Sequence, residues 1–322
     1  MIIIEPVPVL AGGGLVRTKL WFHPQCTSGT RQTETNESNS KDITLNSKRE
    51  FHQVQTSTYW LPKDEDEQFR LMAQHSVIKD LFGGNILSSV TKSLDFNKEL
   101  TVLDVGCGSG VWLMDTICEY PKCKYYGCDM VDVINRKLAN FTFNIGNVLE
   151  RLPYPDNTFD FVHMRLFVFG LREVEWPKAI KEVLRIVKPG GFIQFIESDT
   201  EIPEKNDDVF YDTVVAMHKI CKERGQTPLV GRKLEGLVRE ADNARVVEVK
   251  FATLDTTSNS STAKRMAWNW VELIKGTMSS YGPVLGLKDE AEQKKYLKKF
   301  RHCLEKVHGS FQAYGVVAQK VL

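Results

Sequence analysis

The stretch Leu103-Asp-Val-Gly-Cys-Gly-Ser-Gly110 decides the fold of this 322-residue chain. It begins inside an apolar run that predicts a strand, Thr101–Val105, and it leads into a predicted helix that ends near Glu119. A glycine-rich turn between a strand and a helix points backbone N–H groups and the helix N-terminus at whatever lies beyond the carboxyl end of the strand. The turn is therefore the first candidate for a ligand site.

The glycine spacing and one carboxylate indicate which ligand this turn binds. Gly106, Gly108 and Gly110 let a ligand come close to the backbone, but a dinucleotide fingerprint needs its third glycine at position 111, where the chain has Val111. Asp104 precedes the turn, and a carboxylate there suits a cationic amine better than a pyrophosphate. A ligand with an α-amino group and a sulfonium but no phosphate fits best, which describes S-adenosylmethionine. A nicotinamide dinucleotide, and a glycine turn that only packs a helix on a sheet, are the alternatives.

Strand-like runs and helical stretches alternate after this turn. Four further strands are predicted at Lys124–Cys128, Phe141–Asn144, Phe159–Met164 and Phe192–Glu197. A helix is expected to begin after Trp176 and to end at Pro189-Gly190-Gly191. The alternation predicts an α/β fold with a doubly wound, mostly parallel sheet that has helices on both faces.

The two ends of the chain depart from this alternation. Two final strands are predicted at Val246–Leu254 and Phe311–Gln319, separated by a helical insert, 261–307, that we expect to form a cap. At the other end, Ser, Thr, Asn and Gln supply 19 of the 35 residues from 24 to 58. Such a segment buries too little apolar surface to offset its ordering entropy. We therefore expect residues 1–58 to be disordered and the folded domain to cover 59–322.

Residues at the ends of the next strands are further candidates for the cofactor site. Asp129 ends the second predicted strand, where a carboxylate can accept hydrogen bonds from both ribose hydroxyls. Asn147 follows the third strand and can bond an adenine edge, with the N–H of Val148 beside it. Neighbours of these positions complete the set of cofactor candidates: Cys107, Gly110, Met130 and Met164.

Four segments resemble, in order and spacing, the motifs of class I S-adenosylmethionine-dependent methyltransferases. They are Asp104–Gly110, Gly127–Asp129, Pro155–Val162 and Val183–Gly191. The resemblance implies a Rossmann-like sheet of seven strands with an antiparallel last strand, and methyl transfer from S-adenosylmethionine as the cofactor. Because the cofactor carries the reactive sulfonium, the protein needs only to bind, orient and exclude water. The sequence accordingly identifies no catalytic residue.

Two segments outside that core resemble fungal LaeA-like or TAM-domain methyltransferases. They are Tyr59–His75, continuing to Asn85, and Phe311–Lys320. The resemblance implies that residues 59–85, here called the lid segment, close over the cofactor. Candidate contacts in the lid segment are Tyr59, Arg70, Gln74 and His75. For Arg70 the alternative is a solvated helix face among acidic residues.

Charge and missing motifs narrow the class of acceptor. Lys plus Arg total 42 and Asp plus Glu total 41, so the chain has no basic field that favours a nucleic acid. The run 164–167 lacks the Asn/Asp-Pro-Pro-aromatic element of amino-methylating nucleic-acid enzymes. We expect a small, largely apolar acceptor, bound by residues of the insert: Met266, Trp268, Trp270, Met278 and Tyr281. Core packing explains the same residues equally well, and a cofactor-binding regulator that acts through protein contacts is the alternative function.

Three remaining features indicate the chemistry and the compartment. His163, near the end of the fourth strand, is either a base at the methyl group or a structural histidine. Cys118, Cys123 and Cys128 straddle a helix and a strand, which favours buried small side chains over a metal site, so we expect no metal. The apolar run 1–10 is too short to span a bilayer and lacks a basic leader. With seven scattered cysteines and no CxxC pair, these features predict a reduced, soluble protein of the cytoplasm or nucleus with no membrane partner.

Overall fold

Seven strands form one sheet in the residues that the computed structural model describes: 43–45, 48–52, 54, 57–132, 141–204 and 208–321. The strands are β1 Thr101–Val105, β2 Lys124–Asp129, β3 Phe141–Ile145, β4 Phe159–Arg165, β5 Val187–Asp199, β6 Ala244–Asp255 and β7 Ser310–Lys320. Their spatial order is β3-β2-β1-β4-β5-β7-β6. Strand β7 runs antiparallel to β5 and β6, and the other pairs are parallel. The predicted doubly wound, mostly parallel sheet with an antiparallel last strand is confirmed.

The strand order reverses at β1, which lies between β2 and β4. These three strands are parallel, so their last residues, Val105, Asp129 and Arg165, lie at the same edge of the sheet. Ligands of doubly wound sheets bind in the crevice beyond the carboxyl ends of the strands at such a reversal. The topology thus places the glycine turn after β1 at the expected ligand site.

Helices cover both faces of the sheet. They are α1 Glu65–Phe82, α2 Ser88–Ser93, α3 Val111–Glu119, α4 Trp176–Ile186, α5 Val209–Glu223, α6 Leu234–Arg239, α7 Ser261–Gly276, α8 Met278–Leu285 and α9 Glu290–Lys306. Helix α4 ends before the predicted stop at Pro189, and β5 already begins at Val187. The cause is local, because a proline disfavours helical backbone at the preceding residue and cannot donate a hydrogen bond. None of the helices in these residues is long and apolar enough to cross a membrane.

The first half of helix α1 buries polar side chains, whereas its second half buries Val77, Ile78 and Phe82. In the first half, the apolar residues Phe69 and Met72 are 62% and 47% exposed, whereas Glu67 and Arg70 are each 2% exposed. The polar residues are tolerated inside because they satisfy one another, Arg70 donating to both carboxylate oxygens of Glu67 at 2.9 and 2.6 Å. Asp64 is the N-cap of the helix, and the helix ends at Gly83, which has the left-handed conformation that favours glycine.

The described residues before Tyr59 pack on the domain. Ile43 is 6% exposed, and Arg49 donates to the carboxylate of Asp64 at 2.6 and 2.9 Å, which ties this segment to the start of α1. Thr58 donates to the carbonyl oxygen of Gly170 at 2.9 Å. For these residues the predicted boundary at 58/59 comes too late, because pairing with residues later in the chain is not visible in the composition. The predicted disorder of 1–42, 46–47, 53 and 55–56 lies outside the described residues.

Candidate functional site

A cavity opens beyond the carboxyl ends of β1, β2 and β4, under the lid segment. The candidate cofactor residues that line it are Tyr59, Arg70, Asp104, Gly106, Cys107, Gly108, Asp129, Met130, Asn147 and Val148. Gly110 is instead the N-cap of α3, and Met164 on β4 is fully buried in the hydrophobic core. The structure therefore brings most of the predicted set to one cavity, with Gly110 and Met164 behind it.

The turn after β1 uses glycine for two different reasons. Gly106, Gly108 and Gly110 have φ values of 66°, 51° and 78°, the left-handed region in which a Cβ is strained. A Cβ added to Gly106 would lie 2.3 Å from Cζ of Phe167, so this glycine makes room for a side chain of the protein. A Cβ added to Gly108 would meet nothing within 4 Å, so this glycine keeps open a part of the cavity.

Asp129 lies at the end of β2 and braces the glycine turn. Its carboxylate accepts hydrogen bonds from the N–H groups of Gly108 at 2.8 Å and Val131 at 3.1 Å. Burial raises the pKa of Asp129 above its ordinary value, although the backbone hydrogen bonds act to lower it. The carboxylate also lines the cavity, so its oxygens have capacity left for donors of a ligand.

Asp104 lines the cavity and is held from behind by His163. Nδ1 of His163 lies 2.9 Å from Oδ1 of Asp104, and the imidazole stacks on the Trp112 ring with the centroids 4.1 Å apart. Burial lowers the pKa of His163, which favours a neutral ring that donates from Nδ1. His163 is 0% exposed, so it has no access to a methyl group in the cavity. Of the two interpretations of this residue, the structure supports the structural one.

Asn147 and Val148 lie on the far side of Asp129, after β3. The side-chain oxygen of Asn147 accepts the N–H of Leu149 at 3.0 Å, which forms a turn that fixes the loop. Val148 is 5% exposed, and both residues line the cavity. This end of the cavity offers an amide edge and an apolar wall.

The lid segment contributes polar side chains to the lining of the cavity. Arg70 lines the cavity, and its Nη1 donates a hydrogen bond to Oδ1 of Asn269 on α7 across 3.3 Å. The alternative of a solvated helix face for Arg70 is therefore wrong. Tyr59 and Gln74 line the cavity too, and burial raises the pKa of the Tyr59 phenol. His75 lies outside the lining residues and bonds Asp115 and Arg165 instead.

The loop after β4 contributes cavity residues that the sequence analysis did not assign. Phe167 lies against the glycine turn, and Leu166, which precedes it, has a φ of 57° although it is not glycine. Glu197 on β5 holds this loop by accepting the N–H groups of Phe167 at 2.7 Å and Val168 at 3.0 Å. Glu197 is fully buried, and burial raises its pKa to about 8. A buried acid within a predicted strand was the one signal in the sequence that could have indicated this loop.

The residues of the insert that were predicted to form the acceptor wall do not line the cavity, so this prediction is wrong. Trp270 packs against Phe210 on α5 and Phe300 on α9, and Trp268 is 38% exposed. Met266, Met278 and Tyr281 are likewise buried in the core. From the described residues of the insert, Leu273 reaches the cavity. Core packing, the alternative for these residues, is what the structure shows for all of them except Trp268.

One group of described residues has the donor atoms of a metal site, away from the cavity. Donor atoms of Asp208, Cys303 and His308 lie within 4.8 Å of one another. Asp208 is already the N-cap of α5 and forms an ion pair with His308. Burial raises the pKa of Cys303, which disfavours the thiolate that a metal requires. The group is therefore accounted for as a helix cap.

The chain is similar in sequence to known proteins over part of its length. Residues 102–191 match the family model described as a methyltransferase domain. The secondary metabolism regulator laeA of Coprinopsis cinerea is 30% identical over 163 residues, which are 49% of this chain and 40% of that protein. The N-methyltransferase sirN of Leptosphaeria maculans is 33% identical over 147 residues, 44% of this chain and 50% of that protein. A demethylmenaquinone methyltransferase of Bacillus licheniformis is 37% identical over 110 residues, 31% of this chain and 46% of that protein.

Residues 102–191, which contain the glycine turn and the carboxyl ends of β1, β2, β3 and β4, are thus similar to a methyltransferase domain. The relatives described above come from two fungi and one bacterium. The chain spans about half the length of the curated relatives it matches, from 40% to 50% for the two fungal ones.

Proposed function

We propose that the chain transfers a methyl group from S-adenosylmethionine to a small, largely apolar acceptor. The observation that carries this proposal is the meeting of two carboxylates, Asp104 and Asp129, with the open face of Gly108 at one cavity. A zwitterionic amino acid joined to a nucleoside has the donors that these carboxylates need. The residues thus fit the cofactor.

Each part of the cofactor has a candidate partner. Asp104, fixed by His163, would accept the α-ammonium group, and Asp129 would accept the ribose hydroxyls. Asn147 and Val148 would hold the adenine. Tyr59 of the lid segment would cover the site. When bound, the cofactor supplies the sulfonium methyl group, which is the electrophile.

The protein contributes orientation and exclusion of water. Proximity and alignment of two reactants supply roughly 7–11 kcal/mol of a barrier, so a methyl transfer can proceed without a strong base. His163 is shielded from the cavity, and we assign no catalytic base. The apolar part of the cavity is a candidate acceptor wall, formed by Leu61, Leu71, Phe167, Phe169 and Leu273.

The test is a transfer assay with methyl-labelled S-adenosylmethionine and a cell extract separated into small molecules and proteins. We expect label in the small-molecule fraction with the wild-type chain and none with Gly108→Val, whose side chain would enter the open part of the cavity. Label that appears only in the protein fraction would contradict a small acceptor. Equal labelling by Gly108→Val would contradict the site.

A cofactor-binding regulator is the second candidate function. It is favoured by the exposure of Phe69 and Met72 on α1, two large apolar side chains on the outside of the lid segment. The relative from Coprinopsis cinerea is itself named a secondary metabolism regulator. In this case Phe69→Ser/Met72→Ser would abolish a protein contact without changing cofactor affinity, and the labelled methyl group would reach no small molecule.

A further inference from the structure

Arg165 is a cation at the cavity that has no carboxylate partner among the described residues. It ends β4 and lines the cavity, and its hydrogen bond is a donation from Nη2 to Nδ1 of His75 at 3.1 Å. Arg70, the other arginine of the cavity lining, forms an ion pair with Glu67 at 2.6 Å. The difference matters because Arg165 is half-buried, and charges that are taken out of water in proteins are normally paired.

The guanidinium of Arg165 is held in place. Nε2 of His75 lies 3.0 Å from Oδ2 of Asp115, so this imidazole donates to Asp115 and presents the lone pair of Nδ1 to Arg165. Burial lowers the pKa of His75, which keeps the ring neutral and able to accept. A side chain fixed in this way is oriented to bind, because less rotamer entropy is lost when a ligand arrives.

The charge of Arg165 is only partly compensated. Burial lowers its pKa to about 10, and the carboxylates that act against this effect are Asp104 and Asp115. Asp104 already accepts from His163, and Asp115 accepts from His75, Lys79 and Asn85. An anion in the cavity would supply the missing partner, and the planar fork of arginine suits a carboxylate.

We propose that Arg165 forms a carboxylate subsite, in which a carboxylate of a bound ligand accepts hydrogen bonds from the guanidinium. This inference rests on the proposed function. Leu166, Phe167 and Leu273 line the same cavity, so an acceptor that uses this subsite is an apolar molecule with one acidic end. The α-carboxylate of the cofactor has the same chemistry and is the other source of the anion.

Two pairs of matched ligands separate these sources. S-adenosylhomocysteine and its decarboxylated analogue differ only in the cofactor carboxylate, and both are titrated into the full chain by calorimetry. Benzoate and benzamide, added to the chain saturated with S-adenosylhomocysteine, stand in for an apolar acid and its neutral counterpart. In one of the two pairs, the wild-type chain should bind the ligand with the carboxylate about ten- to a hundredfold more tightly than the ligand without it. This is the range expected for one charge-assisted hydrogen bond.

Arg165→Gln should abolish that preference, and Arg165→Lys, which keeps the charge but not the fork, should retain part of it. Arg239→Gln, an exposed arginine on α6 paired with Glu235, is the matched control and should change none of the four affinities. A wild-type chain with no preference in either pair overturns the subsite, as does a preference that survives in Arg165→Gln. Failure of S-adenosylhomocysteine to bind the wild-type chain would instead contradict the proposed function.

Discussion

Nδ1 of His163 donates a hydrogen bond to Oδ1 of Asp104 across 2.9 Å, from a position with no solvent exposure. The two residues face each other in the register of β4 and β1, so the sheet itself sets their distance. The carboxylate of Asp104 lines the cavity, while the imidazole lies behind it on Trp112. His163 is therefore a positioning residue for the carboxylate that we assign to the cofactor ammonium.

The first prediction concerns this pair. His163→Phe keeps an aromatic ring against Trp112 but removes the donor that orients Asp104. We expect the affinity for S-adenosylhomocysteine to fall by about tenfold, since an unpaired hydrogen-bond partner costs about 1–3 kcal/mol. Calorimetry measures the change.

The control for His163→Phe is 5′-methylthioadenosine, which has the nucleoside but no amino-acid part. Its affinity should be the same in the wild-type and variant chains. An equal loss for both ligands would show that the variant disturbs the whole site and would contradict the specific role in positioning Asp104.

The second prediction concerns Asp129. Asp129→Ala should weaken binding of S-adenosylhomocysteine by about ten- to a hundredfold, because hydrogen bonds to a charged group contribute about 1.5–3 kcal/mol. The 2′,3′-dideoxy analogue lacks the ribose hydroxyls and should bind the variant about as well as S-adenosylhomocysteine does. Fully additive losses from the variant and the analogue would count against the ribose contact.

The third prediction separates two glycines by what their side chains would meet. Gly106→Ala should destabilise the fold both by its positive φ, about 1–2 kcal/mol, and by a clash with the Phe167 ring. Phe167→Ala removes that ring. The loss of unfolding free energy in the double variant should therefore be smaller than the sum of the losses in the two single variants, by about 1 kcal/mol or more. Denaturant unfolding provides the free energies.

Gly108→Ala is the matched control for this cycle, because its Cβ meets no atom within 4 Å. It should show no coupling with Phe167→Ala. Coupling at Gly108, or strict additivity at Gly106, would be inconsistent with the described contact.

The fourth prediction is a pH dependence from Glu197. Its pKa in the folded chain is raised by burial to about 8, above the ordinary value of 4.5, so the folded state binds a proton that the unfolded state releases. The stability that Glu197 contributes is therefore fully present below pH 4.5 and is lost as the pH rises through 8. The slope is at most about 1.4 kcal/mol per pH unit for one proton.

Glu197→Gln removes this titration while keeping the shape of the side chain. The difference in unfolding free energy between the wild-type chain and Glu197→Gln should shrink or reverse as the pH rises from 5 to 8. A difference that stays constant over that range would mean that Glu197 does not titrate there.

The central sheet and the glycine turn could be predicted because their signals are local. Thr101–Val105 is a short apolar run next to three glycines, and the predicted and observed bounds of this strand agree. The predicted helix that follows it is also present, as Val111–Glu119. Neighbouring residues in the sequence determine each of these elements, so the sequence contains the information.

The parts that could not be predicted depend on distant residues. The inward polar face of α1 is possible because Arg70 meets Asn269, 199 positions later. Phe167 lies at the site because Glu197 on β5 accepts a hydrogen bond from its backbone N–H. The sequence could not distinguish an acceptor wall from core packing in the insert, and Trp270 packs against Phe210 and Phe300 rather than lining the cavity.

The most direct measurement of the central claim is a calorimetric titration of the full chain with S-adenosylhomocysteine and, separately, with NADH. We predict that the wild-type chain binds one equivalent of S-adenosylhomocysteine and does not bind NADH. Gly108→Val should no longer bind S-adenosylhomocysteine, while its circular dichroism spectrum shows that the fold is retained. Binding of NADH in place of S-adenosylhomocysteine, or unchanged affinity for S-adenosylhomocysteine in Gly108→Val, would contradict this claim.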